Sequence, residues 1–369
     1  MCTRFKLEKS IKNNDQLQKA GDNSEQVMVE HINVYNNGIT REEAERLLDE
    51  KASAVMKQNI SVANEIVSER LREFNNKTMS RLLEEKVLSV LADPSSVEVL
   101  VKAQREAALG NRMMDQDMLA ELLAYRFKNK DDRKLGAAVY KAIENINLVD
   151  DDALLGVTVL YAVTDFYPET GDLNGALTIM NELFGKLLYD SLPEGNDWVE
   201  QLLILGMVRT SKFERLKKME DYWYDVFDGV LRVGIEKKSI KYTEAIKILK
   251  LHNMNEALLI DDRTDPDFVR LPVANKAAIG NIKMLEPGGK IREINSSEMN
   301  ALREIYDLYG DKITLKEFVQ EIEKYKNLAT VRKWWNDIAA KQLIEVSSIG
   351  KVLANTNAQR IDKNLPGLG

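Results

Sequence analysis

The sequence predicts a mainly α-helical protein with a short N-terminal β segment, a long helix, a helical middle domain and a winged-helix-like C-terminal domain. Three observations predict this class. Residues 39–93 contain neither glycine nor proline, the whole chain has seven prolines in 369 residues, and apolar residues recur three or four positions apart over most of its length. A chain of this length supports two or three cores, because a domain takes about 100–200 residues.

The composition narrows the function classes. The net charge is −7, so the chain as a whole is not a general binder of nucleic acid or of acidic membrane surfaces. Its one cysteine, Cys2, excludes a disulfide within the chain and favours a reducing compartment. The densest apolar stretch, residues 154–163, is shorter than the roughly 20 residues that span a bilayer. We therefore expect a cytoplasmic protein without a membrane anchor.

The N-terminal part divides into a polar tail, residues 1–20, which we expect to be disordered, and a short β segment, residues 21–38. Alternating apolar residues indicate one kinked strand or two short ones. An isolated strand is not stable in water, so it must pair with a second chain or pack on its own helices. The candidate oligomerisation residues in this segment are Val27, Val29, Ile32, Val34 and Tyr35.

The long helix is predicted over residues 39–93. Thr40 and Glu43 form a capping-box pattern at its start, and Pro94 follows its end. The polar stretch 75–78 is the weakest part, where the helix could bend. The apolar spacing averages nearer 3.7 than 3.5 residues, which disfavours a strict left-handed heptad coiled coil. On this helix the candidate oligomerisation residues are Ile60, Val67, Leu71 and Phe74.

The remainder is predicted as a helical domain, residues 94–260, a connector, 261–295, and a small domain, 296–369. The connector holds a polar turn, a Pro-Gly-Gly sequence and an alternating stretch, 290–294, typical of an edge strand. In the small domain Thr314 is a predicted helix cap. Three helices precede a strand-like stretch, 343–346, and this order resembles a winged helix.

Catalytic and metal-binding motifs are not found in the sequence. The two histidines, His31 and His252, have no cysteine or histidine at ligand spacing, and no phosphate-binding loop motif occurs. The four aspartates within residues 261–267 lack the glycine and the closing glutamate of a calcium loop. The sequence therefore predicts no catalytic residue, no metal site and no cofactor.

A basic region near the C-terminus raises the possibility of nucleic-acid binding. Residues 331–369 carry six basic and three acidic side chains, a net charge of +3 within an acidic chain. Arg332 and Lys333 lie at the start of the third predicted helix, where a recognition helix presents its contacts. With Lys341 they are the candidate nucleic-acid contacts. The adjacent Trp334 and Trp335 favour a packing or protein-interaction role instead.

Short segments at both ends and in the middle resemble an uncharacterised family of bacterial and phage-associated helical proteins. They are Gly21–Ser24 with Gln26, Ile32–Tyr35, Gly38–Thr40 with Glu42–Ala44, Ala103–Gly110 with Leu119–Arg126, and Ile349–Lys351 with Ala354 and Asn355. The resemblance implies no catalytic residues. It implies a context of mobile elements and anti-phage defence.

The leading hypothesis is a non-enzymatic assembly or sensor protein that homo-oligomerises and binds a phage or partner protein. The first alternative is a winged-helix DNA-binding regulator that uses Arg332, Lys333 and Lys341. The second alternative is an unrecognised hydrolase built from carboxylates, in which Asp265 would be required.

Overall fold

The computed structural model describes residues 40–168, 170, 172–211, 216–262, 265–285 and 289–367. By packing, the chain divides into a unit up to residue 63 and a unit from residue 64 onward, and each is described by itself. The predicted disordered tail, 1–20, and β segment, 21–38, lie outside the described residues. The same holds for Val27, Val29, Ile32, Val34 and Tyr35.

The protein is mainly α-helical, as the sequence predicts. Over the described ranges the helices are α1 (Arg41–Glu84), α2 (Pro94–Leu109), α3 (Met113–Lys128), α4 (Arg133–Asn145), α5 (Asp151–Asp165), α6 (Leu173–Leu187), α7 (Asp197–Ile204), α8 (Met219–Val226), α9 (Asp228–Leu231), α10 (Ile240–Leu251), α11 (Ser296–Asp307), α12 (Leu315–Glu323), α13 (Lys326–Lys341) and α14 (Ser348–Ile361). None of the described helices is both long and apolar enough to cross a membrane.

The strands are short and all their pairings are antiparallel. They are β1 (Val208–Thr210), β2 (Ile235–Glu236), β3 (Ile260–Asp261), β4 (Phe268–Arg270), β5 (Lys283–Leu285), β6 (Ile291–Glu293) and β7 (Ile344–Val346). β1 pairs with β7, β4 lies between β2 and β3, and β5 pairs with β6. The sequence predicted β6 and β7 as strand-like stretches.

Helix α1 is shorter than predicted and ends at Glu84 rather than at Asp93. It ends because Lys86 takes a left-handed conformation with φ 59°. The Val87 N–H then donates to the Leu82 carbonyl at 3.0 Å and the Lys86 N–H to the Leu83 carbonyl at 3.1 Å, which is the Schellman pattern of a helix C-terminus. The helix runs through Asn75 without a break, and Asn75 accepts a 2.9 Å hydrogen bond from Gln104.

The main core is built around α5 and α14. Every residue from Ala153 to Val163 of α5 is buried, as expected for a helix that is apolar on all sides. Helix α14 packs along α5 and also contacts α3 and α4. Thus the last helix lies at the centre of the main core, next to a helix almost 200 residues earlier in the chain.

A second core forms around α10, α11 and the β2–β4–β3 sheet. Residues predicted as a connector, 261–295, contribute to it through Val269, Leu271 and Ile279, which are all buried. Arg270 is buried too. It pairs with Asp262 and donates to the Gly229 carbonyl at 3.1 Å, so its charge is compensated inside the fold.

Residues 296–369 are divided between the two cores. Helix α11 belongs to the second core, whereas side chains of α12, α13 and α14 belong to the main core. Strand β7 pairs with β1, which precedes it by more than 130 residues. The winged-helix-like arrangement predicted for this region is not confirmed.

Thr78 provides a test of the packing of α1. Its side chain is completely buried, and its hydroxyl has no hydrogen-bond partner among the residues that the structure describes. We expect Thr78→Val to raise the free energy of unfolding by about 1 kcal/mol, because the isosteric methyl group removes an unsatisfied polar atom. Chemical denaturation measures the change. The matched control is Thr356→Val, whose hydroxyl donates to Val352 at 2.8 Å. An equal gain in both variants would contradict the explanation.

Glu298 provides a test of the second core. Its carboxylate accepts two hydrogen bonds from Arg292, at 2.6 and 2.8 Å, and one from the Asn295 N–H at 2.9 Å. The Arg292 bonds are the main cause that lowers the pKa of Glu298 to about 2. A lowered pKa stabilises the fold above the ordinary value of 4.5, and this contribution is lost as the pH falls towards 2.

We therefore expect Glu298→Gln to be less stable than the wild type at pH 7, with a difference that shrinks as the pH is lowered from 5 to 3. Urea denaturation at each pH gives the difference. The control is Glu304→Gln, which removes an exposed carboxylate from the same helix. A difference that stays constant with pH would show that Glu298 acts through its shape and not through its charge.

Candidate functional site

One side of the N-terminal half of α1 carries a row of exposed apolar side chains. We call this row the α1 face and define it as Leu48, Ala52, Val55, Met56, Ile60 and Val62. The five larger side chains are between 49% (Val62) and 68% (Met56) exposed. At about 100° per residue the six lie within an arc of roughly 160°. Single exposed apolar residues are ordinary, whereas a contiguous group of them is typical of an interaction surface.

The predicted oligomerisation residues on α1 fall into two groups. Ile60 belongs to the α1 face and is 56% exposed. Val67 and Leu71 are half-buried, and Phe74 is completely buried in the main core. Phe74 therefore stabilises the packing of α1 within the chain. Among the four predicted residues, Ile60 is the one that is open to a second molecule.

The predicted nucleic-acid contacts are largely paired with carboxylates. Arg332 donates to both oxygens of Glu220, at 3.0 and 3.1 Å, and to Glu323 at 2.6 Å. Burial raises the pKa of Glu220, but hydrogen bonds from Asn336 and Arg332 more than offset it and hold that pKa below its usual value. Lys341 pairs with Asp337 at 2.7 Å, and Lys333 is exposed. These three residues do not form a cluster of unpaired cations.

The carboxylates singled out by the sequence do not converge. Asp261 pairs with Lys237 at 2.9 Å, and Asp262 pairs with the buried Arg270. Asp265 accepts the Asp267 N–H at 3.0 Å, which closes a local turn. Among the described residues, no group of three or more histidine, cysteine, aspartate or glutamate side chains is arranged to hold a metal ion.

A cleft of about 400 Å³ lies where α5, α8, α13, α14 and β7 meet. A charged pair lies in its lining: Lys351 Nζ is 2.7 Å from Asp165 Oδ1, and Thr164 Oγ1 donates to Asp165 Oδ2 at 2.6 Å. Its apolar lining consists of Leu160, Leu216, Trp335, Ile344 and Val346. The volume lies in the usual range for small-molecule sites, about 300–1,000 Å³.

Two tyrosines fix the geometry beside this charged pair. Tyr222 lines the cleft and donates to the Thr164 carbonyl at 2.8 Å, and its oxygen is 2.6 Å from the Tyr167 hydroxyl. Burial, followed by this hydrogen bond, raises the pKa of Tyr167 well above its ordinary value. The Tyr167 hydroxyl therefore stays protonated at neutral pH and acts as a hydrogen-bonding group.

The charged pair was not predicted from the sequence. Asp165 ends α5 and Lys351 lies in the first turn of α14, and these positions are 186 residues apart. Gly350 makes the close approach of α14 possible, because a Cβ atom there would lie 2.1 Å from the Met207 carbonyl oxygen. Gly350 and Lys351 lie in the C-terminal segment that resembles the uncharacterised family. That resemblance is the one sequence observation that indicated this region.

A family model described only as “:-like” matches residues 38–366. No curated protein matches the chain. No solved structure matches it either.

Gly350→Ala tests the contact that positions Lys351. We expect a loss of about 1–3 kcal/mol in the free energy of unfolding, because the new methyl group forces α14 away from β1. Chemical denaturation measures the loss. The control is Gly280→Ala, where the nearest atom to the new Cβ is 3.6 Å away. Equal effects of the two substitutions would contradict the proposed close contact.

Proposed function

We propose that this chain, which belongs to the uncharacterised family whose model matches residues 38–366, is a non-enzymatic assembly protein. It associates with a second copy of itself through the α1 face. The observation that carries the proposal is the exposure of five large apolar side chains on one side of a single helix. Complete burial of such a side chain stabilises an interface by about 1.5–3 kcal/mol, so their solvation is unfavourable unless a partner covers them.

The spacing of the α1 face supports a second helix as the partner. Four residues of the α1 face and one polar residue follow one another by alternate steps of four and three, which is the spacing of the inner positions of a coiled coil. They are Leu48, Ala52, Val55, Asn59 and Val62. The average of 3.7 residues over the whole of α1 includes its C-terminal half, where Phe74 and Leu82 pack inside the chain. The heptad spacing is confined to the part whose apolar residues are exposed.

Asn59 supports pairing between identical helices rather than general apolar adhesion. It lies within the heptad row, between Val55 and Val62. A polar asparagine at such a position lowers the stability of a coiled coil but selects its register and number of helices. An interface that contains one asparagine among aliphatic residues therefore favours a defined oligomer over open-ended association.

The biological setting is a further part of the proposal. The resemblance to bacterial and phage-associated proteins supports a cytoplasmic role in anti-phage defence, in which the assembled protein binds a phage or partner protein. The segment Val27–Tyr35 would add strand pairing between chains to the helix pairing. The carboxylate pairs of Arg332 and Lys341 give the DNA-binding alternative no additional support.

The test is the mass in solution of the full-length protein and three double variants, measured by light scattering over a range of concentrations. We expect the wild type to form a discrete oligomer and Val55→Glu with Val62→Glu to be monomeric, because two carboxylates would be buried in the interface. Glutamate favours helix more than valine does, so loss of the helix would not explain the change.

The control is Ala54→Glu with Ser61→Glu, which adds the same charge on the opposite side of the same exposed helix segment. It is expected to keep the oligomer. A wild type that is monomeric at every concentration would overturn the proposal. Retention of the oligomer by the Val55, Val62 variant, together with its loss in Val27→Glu with Val29→Glu, would assign assembly to the N-terminal segment alone.

A further inference from the structure

We propose that the cleft between α5 and α14 is a binding site for a free α-amino acid with an apolar side chain. The proposal does not depend on self-association, because the cleft is lined by residues from 160 to 351 and none of them lies in α1. It rests on the fixed charged pair of Asp165 and Lys351 beside an apolar wall of the same cleft.

The charged pair is held in place but is still accessible. Asp165 accepts from Lys351 and from Thr164, so its carboxylate is oriented from two sides. The side chains of Asp165 and Lys351 are 25% and 42% exposed. The Lys351 ammonium has three N–H donors and uses one of them for Asp165, which leaves donors for a ligand oxygen.

Charge complementarity selects the ligand class. A simple carboxylate near Lys351 would also meet Asp165, and a simple amine near Asp165 would also meet Lys351. An α-amino acid carries both charged groups on one carbon atom, so its carboxylate can face Lys351 while its ammonium group faces Asp165. The two charges of the ligand and those of Asp165 and Lys351 then alternate in sign. Each charge has opposite charges as its neighbours, and this arrangement gives electrostatic specificity.

The cleft lining contains a second carboxylate, that of Glu345, which already has a partner. Glu345 is held by Arg209, which donates to both of its oxygens at 2.8 and 3.1 Å. Asp165 and Lys351 are therefore the charged groups that the ligand would face. The ligand side chain would then lie against Leu160, Ile344 and Val346, which favours an aliphatic or aromatic group over a polar one.

The test is isothermal titration calorimetry of the full-length protein with L-leucine and L-phenylalanine. Two analogues separate the charges: N-acetyl-L-leucine lacks the ammonium group, and L-leucinamide lacks the carboxylate. We expect at least one amino acid to bind and both analogues of leucine to bind at least about tenfold more weakly, because each loses one charged hydrogen bond.

Lys351→Met and Asp165→Asn are each expected to weaken binding of the amino acid by about tenfold or more. Lys351→Arg keeps the positive charge. If it binds the amino acid and Lys351→Met does not, the loss in Lys351→Met is due to the missing charge and not to unfolding. The matched control is Lys341→Met, which breaks a Lys–Asp pair of the same 2.7 Å length outside the cleft and is expected to bind like the wild type. Absence of binding by both amino acids up to their solubility, or equal binding of N-acetyl-L-leucine, would overturn the proposal.

Discussion

The packing of α14 against α5 is the interaction on which the rest of the main core depends. Helix α14 contacts α3, α4 and α6 as well as α5, so it joins elements from residue 113 to residue 361. The close approach of its first turn to Met207 brings Lys351 to Asp165. The cleft exists because two helices far apart in sequence meet at this point, and a shift of α14 would open the main core and displace the charged pair together.

Polar side chains fix the register of this contact. Asn357 is completely buried, donates to Thr158 at 3.0 Å and accepts from Arg360 at 3.0 and 3.1 Å. Asn355 donates to the Tyr161 hydroxyl of α5 at 3.3 Å. Apolar residues alone would allow α14 to slide along α5, whereas a buried amide that loses its partners costs free energy. The network therefore selects one position of the helix.

These polar residues also explain which parts of the fold the sequence could predict. Several helices begin at a side-chain cap, and Thr314, the cap predicted from local sequence, forms a capping box with Glu317. Local rules failed for α14, because its Asn-Thr-Asn run is typical of an exposed segment and its burial against α5 is a long-range property. Local rules also failed at the end of α1, where Lys86 takes the left-handed conformation that glycine usually adopts at the end of a helix.

The α1 face and the cleft also differ in how far the sequence alone could predict them. The α1 face is a local pattern on one helix, so its apolar residues could be recognised from spacing, and the structure adds which of them are exposed. Ile60 is exposed and Phe74 is buried, although both fit the same helical pattern. The charged pair of the cleft is a product of tertiary packing, and no local pattern marks Asp165. Sequence periodicity therefore shows where a chain can associate, but the chemistry of a cleft depends on which helix ends the core brings together.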